Sequence, residues 1–262
     1  VEYTQCWAAW DTVIRKHGFK GNQAQFDDDG NLITPIAEIK SLPKDSPRCV
    51  PELLKSLQEI ARTPTVVEID SKRSNAFGSD VKNGRIGMIL KKQPNDWRLS
   101  FAAKCEHTSR KVHACVIHGA GGSGKSQRLQ DWMRSLKKNS RECTVILPTA
   151  ELRTDWVNKV PKQSLDTFKT WEKGLVQPPN RVVILDDYGK LPAGYPEALC
   201  ANYPNIELLI LTGDSRQSVH NEHNKQAATA SLESNIDHWT QYCRFYVNAT
   251  HRNVKRLANA LG

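Results

Sequence analysis

Residues 119–126 read Gly119, Ala120, Gly121, Gly122, Ser123, Gly124, Lys125 and Ser126, which fits the pattern G-x-x-x-x-G-K-[ST]. Glycines let backbone N–H groups approach an anion, the lysine supplies a point charge for the outer oxygens of a triphosphate, and the serine hydroxyl can reach Mg²⁺. Further on, Val182-Val183-Ile184-Leu185 ends in the paired acids Asp186 and Asp187. In a phosphate-loop enzyme the first acid would hold the metal through water and the second would orient or deprotonate the attacking water. A third apolar run, Leu208 to Leu211, ends in polar groups up to Gln217, which could contact a γ-phosphate.

These groups need elements to place them. Val112 to Ile117 is apolar and β-branched enough for a buried strand, and Gln127 to Lys138 carries Leu129, Trp132, Met133 and Leu136 at helical spacing. From residue 112 onward, apolar runs at 112–117, 143–147, 182–185, 207–211 and 243–247 alternate with helical patterns. That alternation predicts an α/β fold with a parallel sheet flanked by helices, whose ligands bind at the carboxyl ends of the strands.

Residues 1–111 read as a separate accessory region. Helices are expected over 1–20 and about 51–62, with a Gly/Asp/Pro-rich connector between them. Short strands are expected at Thr65 to Asp70, Arg85 to Lys91 and Trp97 to Lys104, giving a small α+β unit without a catalytic motif.

Composition bounds the partner. The net charge is +9, divided as 18 Lys/Arg against 14 Asp/Glu before residue 112 and 19 against 14 after it, so the excess is dispersed rather than a tail. Such a balance suits a polyanion but equally suits an ordinary surface. No run of about 18 apolar residues is present, so no membrane-spanning helix is expected, and no signal peptide is expected. The chain begins at Val1, as a piece of something longer would. Seven cysteines without a C-x-x-C pair read as reduced thiols. Zinc sites drawn from Cys105, His107, His113 and Cys115, or from His220 and His223, have unsuitable spacing, and Asp27-Asp28-Asp29 lacks the ligand alternation of a calcium loop.

The motifs GAGGSGKS (119–126), PTAELRTDW (148–156), DDYGKLPAGY (186–195), LTGDSRQS (211–218) and NATHRN (248–253), in this order, resemble the superfamily 1 helicase domain in replicases of plant positive-strand RNA viruses, closest to the potexvirus and flexivirus group. The resemblance implies a RecA-like phosphate-loop NTPase domain over 112–262. It also implies Mg²⁺ as cofactor, ATP or GTP as substrate, and single-stranded and duplex RNA as partners. Lys125 and Ser126 take the phosphate and Mg²⁺ roles, Asp186 the metal and Asp187 the catalytic acid. Gln217 becomes the γ-phosphate sensor, and Arg252 the arginine that completes the phosphate clamp. Thr149, Arg153 and Trp156 match the segment that touches single-stranded nucleic acid; for Trp156 and Tyr188 burial and stacking on a base both stay open. Methyltransferase and polymerase domains of the same polyprotein are implied partners, and the implied location is the host cytoplasm, at membrane-associated replication complexes. RNA 5′-triphosphatase activity is a further expectation.

Superfamily 1 helicases cleave nucleotide between two RecA-like domains, and ten residues follow Arg252, so the second domain is expected to lie outside this chain. An alternative is the triple gene block movement protein of the same viruses, a helicase-like RNA-transport protein and silencing suppressor. Its phosphate loop lies near the N-terminus, whereas more than 100 residues precede Gly119 here. A small-molecule kinase is a third reading, disfavoured by the context of Gln217 and Arg252.

Overall fold

The computed structural model describes residues 65–106, 109–215, 217, 219–247 and 249–250, together with the backbone of Lys40–Ser41, which pairs in parallel with Ala249–Thr250. The helices expected over 1–20 and 51–62, and Arg252, lie outside the described residues.

Seven strands form one sheet: β1 (Thr65–Glu68), β2 (Lys111–Gly119), β3 (Cys143–Leu147), β4 (Phe168–Thr170), β5 (Val182–Asp186), β6 (Leu208–Gly213) and β7 (Cys243–Val247). Their order is β1-β2-β6-β5-β3-β4, with β7 also paired to β2. All pairs are parallel except β1 with β2. The mixed α/β fold with a mostly parallel sheet is therefore as expected, and the five anticipated strands are all present. Strands β6 and β5 separate β2 from β3, and this reversal of strand order opens a crevice at the carboxyl ends.

Both faces of the sheet are covered, which is why its strands are continuous apolar runs. Cys115, Ile117, Val145, Leu147, Ile184 and Ile210 face α4 (Lys125–Ser135) and α5 (Ala150–Lys159), meeting Leu129, Met133 and Trp156. The alternate residues Ala114, Val116, Val183, Leu185, Leu209 and Leu211 belong to a second cluster on the other side. That cluster is completed by α1 (Ser71–Lys82), α2 (Met88–Lys91), α3 (Asn95–Glu106), α6 (Trp171–Val176), α7 (Tyr195–Asn202) and α8 (Asn235–Trp239). Truncating one of these large side chains to alanine would cost about 2–5 kcal/mol.

Two expected strands are helices. Trp97 to Lys104, expected as a strand, lies within a helix that Pro94 precedes, where Trp97 stacks on Phe101 one turn later at 5.2 Å and Leu99 is left exposed. The segment 85–91 likewise contains α2 rather than a strand. The helix α1 was not expected at all, because Ser71, Ser74, Asn75, Gly78 and Ser79 read as turn formers. Asp70, taken for the end of a strand, is its N-cap and accepts from Lys72 N at 2.8 Å. Gly78 is there for close packing, since a Cβ at that position would come within 2.7 Å of Cys105 Cβ on α3.

The described part of the accessory region shares this sheet and core. The strand β1 pairs with β2 across residue 111, and Arg73 of α1 is 3% exposed and reaches α7 and α8. Its Nε donates to Glu197 Oε1 at 3.0 Å, Nη2 donates to Asn235 Oδ1 at 2.9 Å, and Trp239 Nε1 donates to the same Glu197 oxygen at 3.0 Å. Asp80, fully buried on α1, accepts from the backbone of Ala228 and Thr229 and from the Thr229 hydroxyl.

Candidate nucleotide-binding site

Strands β2, β6 and β5 are neighbours, so the segments at their carboxyl ends converge. The loop 119–126 leaves β2 at Gly119 and enters α4 at Lys125. Ala120 and Ser123 are buried, and Gly124 precedes the helix at φ 92°, in the left-handed region where a side chain would be strained. Lys125 is half-buried and its Nζ donates across the loop to the carbonyls of Gly119 and Ala120, the latter at 3.0 Å. The ammonium is thus aimed along the concave side of the loop, where an anion held by the helix N-terminus would sit.

Asp186, 4% exposed, is the point where four elements meet. Its Oδ1 accepts from Ser126 Oγ of α4 at 2.9 Å and from Thr212 Oγ1 of β6 at 2.5 Å. Its Oδ2 accepts from Trp156 Nε1 of α5 at 2.8 Å. Burial raises the carboxyl's affinity for its proton, the three hydrogen bonds oppose this, and the neighbouring Asp187 charge adds to the rise. A hydroxyl and a carboxylate brought together in a buried position form the oxygen donor set that a hard divalent cation accepts.

Asp187 stands just beyond the strand with φ 58° and ψ 42°, a left-handed conformation uncommon outside glycine and, in a non-glycine residue, often found at functional sites. Its carboxylate is partly exposed and forms a 2.6 Å ion pair with Lys190. The two acids therefore differ in setting: one is buried and fully hydrogen-bonded, the other is turned outward at the strand end. Gln217 is exposed and donates to Asp214 Oδ2 at 3.0 Å. A Cβ at Gly121 would come within 3.1 Å of Gln217 Nε2, so this amide lies directly against the phosphate loop.

The segment after β3 separates into two parts. Thr149 is exposed and caps α5, accepting from Leu152 N at 3.3 Å, while Arg153 is half-buried and donates to Phe168 O at 2.8 Å. Trp156 faces inward: it is 1% exposed and packs on Phe168, so it presents no ring to a base. The assignment of Trp156 as a nucleic-acid contact is corrected accordingly. Tyr188 is also fully buried, and its hydroxyl lies 2.7 Å from His118 Nε2. Burial, with the Lys125 charge as a lesser cause, lowers the pKa of His118 to about 3. Sequence reasoning missed Thr212, Lys190 and the Trp156 indole as partners of the two acids. Only the last had a possible signal, an aromatic with a polar edge in a helix otherwise facing apolar strands.

The viral superfamily 1 RNA helicase core domain matches residues 115–262. This chain belongs to that family. It is 98% identical over 261 residues to an RNA replication protein of Strawberry mild yellow edge-associated virus, covering all of this chain and 20% of that protein. It is 51% identical over 257 residues to the RNA replication protein of White clover mosaic virus (strain M), and 48% over 263 residues to that of Potato virus X, each covering 98% of this chain. The chain spans about a fifth of the length of these relatives. The viral helicase resemblance is borne out, and among the described residues no helix is long and apolar enough to cross a membrane.

Proposed function

We propose that this chain is the nucleotide-binding half of an RNA helicase motor within a replication protein, hydrolysing ATP or GTP to move on and unwind RNA. One observation carries this reading: Ser126, Asp186 and Thr212 converge at hydrogen-bond distance beside a phosphate loop over which Gln217 lies. The glycine loop and helix α4 would bind the phosphates, Lys125 would leave the loop carbonyls for the β/γ oxygens, and Ser126 with Asp186 would hold Mg²⁺. When bound, that ion would neutralise charge on the transferred phosphoryl group. Asp187 would orient the attacking water and accept its proton, and Gln217 would sense the γ-phosphate. Arg252 is proposed to complete the clamp against a second RecA-like domain. Thr149 and Arg153 are proposed RNA contacts at the mouth of α5.

The relatives' identity supports the replicase reading over the movement-protein alternative, because it extends through the residues ahead of Gly119 in proteins described as RNA replication proteins. Methyltransferase and polymerase domains would be its partners in the same polyprotein, at cytoplasmic membrane-associated replication complexes. Removal of the RNA 5′ γ-phosphate would use the same site. The deciding experiment measures phosphate release from ATP and GTP, with and without single-stranded RNA, in this chain and in one extended through the second domain. RNA-stimulated release in the longer protein is expected. Release stimulated by a small metabolite and indifferent to RNA would overturn the motor reading in favour of a kinase.

A further inference from the structure

We propose that Trp156 is a positioning residue that couples the exposed start of α5 to the metal-binding carboxylate of Asp186. The inference rests on the Mg²⁺–nucleotide reading of the loop 119–126 and Asp186. Thr149, at the exposed N-cap, and Trp156 are seven residues apart on one continuous helix, about 10 Å along its axis. A two-turn helix moves as a rod, so a displacement at Thr149 reaches the indole with little loss.

The indole ends on one oxygen of one side chain. Among the described residues Asp186 Oδ1 is held by the phosphate loop through Ser126 and by β6 through Thr212, whereas Oδ2 is held by α5 alone through Trp156 Nε1. The plane of the carboxylate is therefore set jointly by a nucleotide-contacting element and by an element whose other end is open to solvent. Arg153 ties the same helix to the carbonyl of Phe168, whose ring packs on Trp156 at 6.3 Å. A polyanion that drew Arg153 from that carbonyl would loosen the packing behind the indole. Outer partners that orient a metal ligand commonly change metal affinity by about 10- to 100-fold.

The test compares the 262-residue wild type with Trp156→Phe, which retains an aromatic ring beside Phe168 but lacks the N–H. Binding of a fluorescent ADP analogue is measured in EDTA and then as a function of Mg²⁺. The expected result is unchanged binding in EDTA and a Mg²⁺ half-saturation raised about tenfold in the variant. A single-stranded oligoribonucleotide should shift the half-saturation of the wild type and leave that of the variant in place. Identical Mg²⁺ curves for the two proteins, or an equal RNA shift in both, would overturn the coupling. A wild type whose nucleotide binding ignores Mg²⁺ would instead overturn the reading of the site beneath it. Should the variant fail to fold, the wild-type indole N–H resonances decide: one must move when Mg²⁺ is added to the ADP-saturated protein, and none moving refutes the proposal.

Discussion

Lys190 and Asp187 form a 2.6 Å ion pair across a single turn of 3-10 helix, and this fixes the outward acid at the end of β5. Asp187→Asn is expected to leave nucleotide binding nearly intact while lowering turnover about a hundredfold or more, the usual scale of general-base contributions. Lys190→Met should lower turnover in the wild-type background and add little to Asp187→Asn, because it acts only through that carboxylate. Single-turnover kinetics in a chain carrying both RecA-like domains, run as a double-mutant cycle, would check this. A loss of binding as large as the loss of turnover would make Asp187 a metal ligand.

Lys125→Ala removes the ammonium that spans the loop carbonyls. Nucleotide affinity is expected to fall beyond detection, since charge-assisted contacts to phosphate are the strongest in such a site. Titration calorimetry with MgADP checks it, and undiminished heat would withdraw the loop from the nucleotide site.

His118 gives a pH dependence with a definite sign. Its folded pKa of about 3 lies below the 6.5 of an unfolded histidine, so between these values the unfolded chain binds more protons. Stability contributed by the neutral ring is full above about 6.5 and lost as pH falls through this window, by up to about 1.4 kcal/mol per pH unit. Replacing it by Asn, which cannot protonate, should flatten the fall of the unfolding midpoint between pH 6.5 and 4.5, as followed by denaturant titration. An unchanged slope would show that carboxylates alone govern the acid limb.

Glu197→Gln and Arg73→Met separate the two halves of a buried pair. Arg73→Met takes the arginine counter-charge from a wholly buried carboxylate, which keeps the Trp239 indole and His238 beside it, and should cost about 3 kcal/mol. Glu197→Gln keeps an acceptor for Arg73 and Trp239 and should cost less, as compared by urea midpoints.

The half that carries the phosphate loop was legible because its signals are local. The loop 119–126, the acids after Leu185 and the apolar strands each declare themselves within a few residues, and a parallel sheet allows little else. Residues 71–106 were not legible for the opposite reason. Gly78 and the serines of α1 have poor helix propensity and are helical only because α3 and α7 pack against them, a long-range cause. Trp97 and Phe101 fit either period while Leu99 fits only a strand, and the stacking of Trp97 on Phe101 goes with the helix that leaves Leu99 exposed. At the site, Trp156 matched a nucleic-acid segment by position, while it is buried by Phe168 and the apolar face of the sheet, which no local pattern brings near.

The ties from α1 set where the chain can be cut. A protein shortened to begin at residue 112 would lose the arginine facing Glu197 and the carboxylate that gathers Ala228 and Thr229, and it would bare the first residues of β2, up to Ala114, which pair with β1. Such a fragment would keep every nucleotide motif from 119 to 217 and still be prone to aggregate through the open strand. The smallest expressible unit therefore starts ahead of Thr65, upstream of any boundary that the motifs alone would suggest.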